Sequence, residues 1–164
     1  MTEELTLKLL RLLEKNSRLS LSALAAMCQT TEEDVRSTLD YLENEGIVIG
    51  YHTVVNWNKI GQESVMAMIE VKITPQRDFG FNRIAERIAN FPEVQSLYLM
   101  SGSYDLSVVL RGSNMQAISD FVSYKLSTID GVQATVTHFI MKRYKDDDLI
   151  YEQHESDTRL AVTP

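Results

Sequence analysis

Leu5, Leu9, Leu12 and Leu13, with Leu10 beside them, recur on one side of a 3.6-residue period and predict a helix over residues 3–15. Lys8, Arg11 and Lys15 share another face of it, either as a solvated flank or within reach of a phosphate backbone. Ser20 then precedes Leu21, Leu24, Ala25 and Met27, a short helical stripe with a serine placed to cap it, and Gln29-Thr30-Thr31 interrupts that stripe. A further helix, roughly Thr31–Glu45, is predicted by Val35, Leu39 and Leu42; Thr30 and Glu33 have capping-box spacing, and Gly46 suits a left-handed stop. Two short helices joined by a tight turn and packed on a leading helix make a helix-turn-helix. The β-rich stretch from Ile47 to Val55, broken by Gly50, is expected to be a wing hairpin or a linking strand.

From Val65 the period changes to two. Val65, Ala67, Ile69, Val71 and Ile73 alternate with Met66, Met68, Glu70 and Lys72, so a strand with one buried face is predicted, ending at Pro75. Phe81, Ile84, Ile88 and Phe91 mark an amphipathic helix with Arg83, Glu86 and Arg87 outside. Strands over 94–101 and 105–111 follow, then a helix on Met115, Ile118, Val122, Leu126 and Ile129, and a last strand over 132–144. A weak internal repeat accompanies this order: Phe91-Pro92-Glu93-Val94-Gln95 and Ile129-Asp130-Gly131-Val132-Gln133 each leave a helix and open a strand with Val-Gln. The fold class is therefore α+β: a winged helix-turn-helix over residues 1–60, a ferredoxin-like βαββαβ domain over 61–145, and an acidic tail over 146–164. The tail, with Asp146, Asp147, Asp148, Glu152, Glu155 and Asp157, is expected to be extended or disordered.

The net charge of −7 is unevenly placed. Residues 1–60, 61–144 and 145–164 carry −3, 0 and −4, so more than half of the excess lies in the tail. No apolar run approaches the roughly 18 residues that cross a bilayer, and the start alternates charge with leucine, so a soluble, unprocessed, cytoplasmic chain without membrane partners is expected. The one cysteine, Cys28, sits in a helical pattern as a small apolar residue and fits a reducing compartment. His52, His138 and His154 share no ligand spacing, and no phosphate loop or nucleophile elbow is present, so no metal, no cofactor and no enzyme activity are expected.

Three stretches carry a resemblance: Asn16-Ser17-Arg18-Leu19-Ser20, Leu42-Glu43-Asn44-Glu45-Gly46-Ile47-Val48-Ile49-Gly50-Tyr51, and Leu99-Met100-Ser101-Gly102-Ser103-Tyr104-Asp105. In this order and spacing the chain resembles the Lrp/AsnC (feast/famine) transcriptional regulators over residues 1 to about 145. The resemblance implies double-stranded DNA as partner, and dimers formed through the sheet domains, often assembled into octamers. It also implies an amino acid or related metabolite bound between C-terminal domains. Independently, Met66 and Met68 on one strand, with Thr135, Thr137, Phe139 and Met141 assigned to the same non-core face, leave a sheet too apolar for water on both sides.

Candidate DNA contacts are Arg18, Ser20, Thr30, Thr31, Arg36, Ser37, His52 and Thr53. The first turn of the expected recognition helix holds Glu32, Glu33 and Asp34, and only Arg36 is a natural phosphate or guanine partner there. Weak binding per module is therefore expected, with a helix-turn-helix used for protein contacts as the alternative. Candidate effector contacts are Leu99, Met100, Ser101, Gly102, Ser103, Tyr104 and Asp105, with Thr135 and Thr137. Residues 102–105 serve equally as a plain hairpin turn. In the resembled family this loop carries two acids and a second aromatic; here Ser103 stands for the first acid and Leu106 for the aromatic. Gly102 would admit a carboxylate to backbone N–H groups, and Asp105 would hold an ammonium.

Overall fold

The computed structural model of the protein describes residues 3–62, 64–75 and 80–151, and the chain divides into two compact units between Val55 and Asn56. In the first unit, α1 (Glu3–Lys15), α2 (Leu21–Cys28) and α3 (Glu32–Asn44) follow the predicted periods. Their apolar stripes meet in a core of Leu9, Leu24, Ala25 and Val35, flanked by Leu5, Leu12, Leu13 and Leu39. Ser20 Oγ accepts the Ala23 N–H at 3.2 Å and so caps α2. Ser20→Ala should cost about 1 kcal/mol, measured as a lowered midpoint of urea unfolding, and Ser20→Asn should retain most of it.

The cap of α3 lies one residue beyond the expected one. Thr31 Oγ1 accepts from Asp34 N at 3.1 Å, while the Thr30 and Thr31 hydroxyls both donate to the Asp34 carboxylate. Thr30–Glu33 and Thr31–Asp34 share the same spacing, and the chain uses the pair whose shorter acid reaches both hydroxyls. Gly46, at φ +66°, stops α3 as expected, with Ile47 N and Val48 N donating to Leu42 O. The expected wing is absent: residues 47–56 form no strand. A ladder needs a second extended segment, and the first unit offers this β-rich stretch only helices.

The second unit opens with a 3-10 turn (Trp57–Ile60) and contains β1 (Val65–Ile73), α4 (Asn82–Ala89), β2 (Val94–Leu99), β3 (Leu106–Gly112), α5 (Met115–Phe121) and β4 (Val132–Phe139). The four strands form an antiparallel sheet in the order β2-β3-β1-β4, the split βαβ arrangement that the element order predicts. One face is closed by α4 and α5 over Ala67, Ile69, Val71, Leu106, Val108 and Leu110, with Ile84, Ile88, Ile118 and Phe121 supplied by the helices. After Phe121 the helix continues as a π turn, Val122–Leu126, which keeps Leu126 fully buried.

Residues directly opposite each other in an antiparallel pair share a face. Ala67, Ile69 and Val71, all fully buried, oppose Phe139, Thr137 and Thr135, so these three look toward the helices. This corrects the expected placement of Thr135, Thr137 and Phe139 on the open face, where Ala134, Val136 and His138 stand instead. The cause is a bulge: Val132 opposes Ile73 but Ala134 opposes Lys72, so Gln133 is an extra residue that reverses the alternation. The other member of the Val-Gln repeat behaves identically, because Val94 opposes Leu110 and Ser96 opposes Val109, leaving Gln95 as the extra residue.

The last strand is also shorter than expected. Beyond Phe139, opposite Ala67, only Ile140 N still finds an acceptor, on Met66 O, and β1 then runs out, so Met141 lies outside the strand and exposed. The acidic tail begins as a small hairpin rather than extended chain. β5 (Lys145–Asp146) and β6 (Leu149–Ile150) pair across Asp147 and Asp148, whose φ values of 49° and 61° suit the mirror-image turn that matches strand twist. The rest of the expected tail, from Glu152 on, lies outside the described residues, as does His154. Among the described residues no helix is long and apolar enough to cross a membrane.

Candidate functional site

The exposed surface of α3 is acidic. Glu32, Glu33, Asp40 and Glu43 are exposed beside Arg36 and Ser37, and Glu43 accepts the Tyr51 hydroxyl proton at 2.8 Å. Burial and that carboxylate push the Tyr51 phenol above its ordinary value. Hydrogen bonds from Thr31 and Thr30 hold the Asp34 carboxyl below its usual range. Its contribution to the start of α3 is therefore present above the ordinary carboxylate range and is lost as acid protonates it.

Several expected DNA contacts are committed locally. Ser20 and Thr31 use their oxygens in capping, the Thr30 hydroxyl donates to the Asp34 carboxylate, and Ser37 Oγ donates to Asp34 O at 3.1 Å. Arg18, Arg36, His52 and Thr53 are exposed. The cationic component of any phosphate contact in this unit thus falls chiefly to Arg18 and Arg36, with Lys8, Arg11 and Lys15 along α1.

The loop between β2 and β3 is anchored to the end of β1. Asp105 N donates to Val71 O at 3.0 Å, Asp105 Oδ2 accepts Ile73 N at 2.8 Å, and Met100 N donates to Asp105 O at 2.8 Å. Lys72 Nζ donates to Ser103 O at 3.0 Å. One carboxylate oxygen of Asp105 therefore serves the backbone. Leu99, Met100, Ser101, Gly102 and Ser103 are exposed and Tyr104 is half-buried; Gly102 has φ +141° and open space where a Cβ would stand. Thr135 opposes Val71, whose other neighbour is Leu106. Two strand spacings of about 4.8 Å thus separate Thr135 from β3, and Thr135 and Thr137 look toward the helices.

The face of the sheet away from the helices carries Met66, Met68, Val109, Val136 and Tyr98, with Glu70 and His138 paired at 3.2 Å among them. At its Met66 end, residues 140–146 cross over and leave a cleft of about 640 Å³ that none of residues 99–105 lines. Arg143 fastens this crossing: its guanidinium touches Met66 Sδ, donates to Tyr151 Oη at 2.6 Å, lies 3.1 Å from Asp146 and covers the Tyr151 ring at 4.7 Å. Lys72, Arg143 and the Glu70–His138 pair are the contacts that sequence reasoning missed, since each depends on strand register.

Three comparisons bear on this arrangement. The family model of the Lrp/AsnC ligand binding domain matches residues 66–150. YugG, an HTH-type transcriptional regulator of Bacillus subtilis, is 47% identical over 100% of this chain and 99% of its own length, and LrpA of Pyrococcus abyssi is 30% identical over 88% and 100%. Among solved structures, a transcriptional regulator of Neisseria meningitidis in complex with L-Met superposes with a TM-score of 0.72 at 26% identity, covering 89% of this chain and 94% of that one.

Proposed function

The chain belongs to the Lrp/AsnC family of transcriptional regulators, not of enzymes, and from that premise we propose that it is a DNA-binding regulator that self-associates through its sheet and responds to an amino acid or related metabolite. The observation that carries this reading is the coupling, in one chain, of a capped helix–turn–helix to a sheet whose second face carries Met66, Met68, Val109, Val136 and Tyr98 and, among the described residues, is closed by no helix. A second copy on that face would bury it and bring two readers to one duplex, so that weak modules add through effective concentration. Effector bound beside Gly102–Asp105 would act by preferring one assembly over another, a coupling of about 1–3 kcal/mol. The complex of the Neisseria meningitidis relative with L-Met supports an amino acid as the class to try first.

Gel-shift titration on fragments from upstream of the protein's own gene, at 50 and 150 mM salt, tests the reading. Arg36→Ala should weaken binding about tenfold at the lower salt, whereas Glu32→Gln with Glu33→Gln should tighten it by removing repulsion from phosphates. The acidic surface of α3 favours a second reading, a helix–turn–helix that contacts protein. No shift at either salt, with the double Gln variant equally silent, would select it. In a thermal-shift screen of the twenty amino acids, a binder raises the melting temperature with concentration.

A further inference from the structure

Glu70 Oε1 and His138 Nε2 meet at 3.2 Å on the open face of the sheet, where their side chains are 29% and 48% exposed. Met68 lies directly across from His138 and Val136 directly across from Glu70, so the pair is set in an apolar surround. Each protomer by itself leaves both groups in reach of water. We propose that this pair makes self-association through the sheet face depend on pH, tightening as the imidazole takes up a proton; the inference rests on the reading that a second copy covers this face.

The sign follows from what is buried. With a neutral imidazole, covering the face removes from water a carboxylate whose partner carries no charge, which is costly. With the imidazolium, the same act buries a compensated ion pair joined by a charge-assisted hydrogen bond. The assembled state therefore holds the proton more tightly than the free protomer. A group whose proton affinity rises on assembly contributes fully below its free value, about 6.5 for an imidazole, and loses that contribution as pH rises through the raised value. A two-fold interface contains two such pairs, so up to two protons enter per dimer.

The other charged or titratable groups that face the pair are Lys72 on β1, whose ammonium is on Ser103 O, Arg111 on β3 and Tyr98 on β2. Lys142, Arg143, Tyr144, Lys145 and Asp146 stand at the Met66 end of the face, and the opposing copy presents the same set.

Sedimentation equilibrium of the full chain at pH 6.0, 7.2 and 8.5, at constant ionic strength, tests the proposal. Where dissociation lies below detection, subunit exchange between two dye-labelled pools replaces it. The dimer should be at least about tenfold tighter at pH 6.0 than at 8.5. His138→Gln should remove the dependence. Glu70→Gln should invert it, because the imidazolium is then buried without its counter-charge and low pH weakens the dimer; thermal melts of both variants confirm that they fold. A dimer whose affinity does not change with pH, or a Glu70→Gln variant that keeps the parent slope, overturns the proposal while leaving the covered face intact. A single monomeric species at every pH overturns the covered face itself, and this inference with it.

Discussion

Gly131→Ala is expected to lower the stability of the second unit by about 2–4 kcal/mol, combining a strained backbone with an overfilled core. Gly131 sits at φ +96°, a conformation that residues with a Cβ rarely adopt. A Cβ built there would lie 2.7 Å from Ile84 Cδ1 and 3.4 Å from Thr74 O. Ile84 is 2% exposed, so its methyl has little space to retreat into. The backbone is held as well, since Gly131 O accepts Thr74 N at 2.8 Å and aligns the start of β4 with the end of β1. Gly102→Ala is the matched control, with φ +141° but nothing within 4 Å of the new carbon. Urea unfolding should show Gly131→Ala as clearly the costlier change; equal losses would mean that the Ile84 contact relaxes freely.

Asp105→Ala should cost about 1–3 kcal/mol, while Asp105→Asn should lose well under half of that. The Asp105 carboxylate accepts Ile73 N as a carbonyl would, carrying the β1–β3 ladder one step beyond Leu106. Ile73 is 3% exposed, so alanine leaves a buried N–H without an acceptor, whereas asparagine still supplies an amide oxygen. Urea midpoints measure this structural part. The negative charge itself is read separately: if the remaining oxygen holds an effector ammonium, Asp105→Asn keeps its stability yet loses the ligand-induced rise in melting temperature. A variant that keeps both would confine Asp105 to the ladder.

The elements themselves were legible in hydrophobic period and punctuation. Leu5, Leu9 and Leu12 gave away α1, Ser20 its role as a cap, and the switch to period two at Val65 the start of the sheet. What escaped was whatever depends on one strand knowing its neighbour. Strict alternation from Val132 turns Thr135 and Thr137 outward, and nothing local in Gln133 announces that it is a bulge. The Ile47–Val55 stretch has strand composition, but composition supplies no partner for its backbone. The candidate site shows the same division. The turn at Gly102 was readable from residue type, while its anchors on Lys72 and Ile73 come from a strand some thirty positions earlier.

Gln95 and Gln133 occupy matching bulges, one near each rim of the sheet, and there a single inserted residue decides which side of a ribbon a side chain inhabits. Loss of Gln133 would straighten the rim of β4 without turning the strand over, since Val132 would still oppose Ile73 and Ala134 would still oppose Lys72, leaving Phe139 toward the helices and His138 on the open face. When relatives are compared position by position, a one-residue gap at either glutamine is therefore harmless, because identical letters downstream of it keep their compartment, whereas the same gap placed further along the strand would exchange the compartments of the residues it displaces.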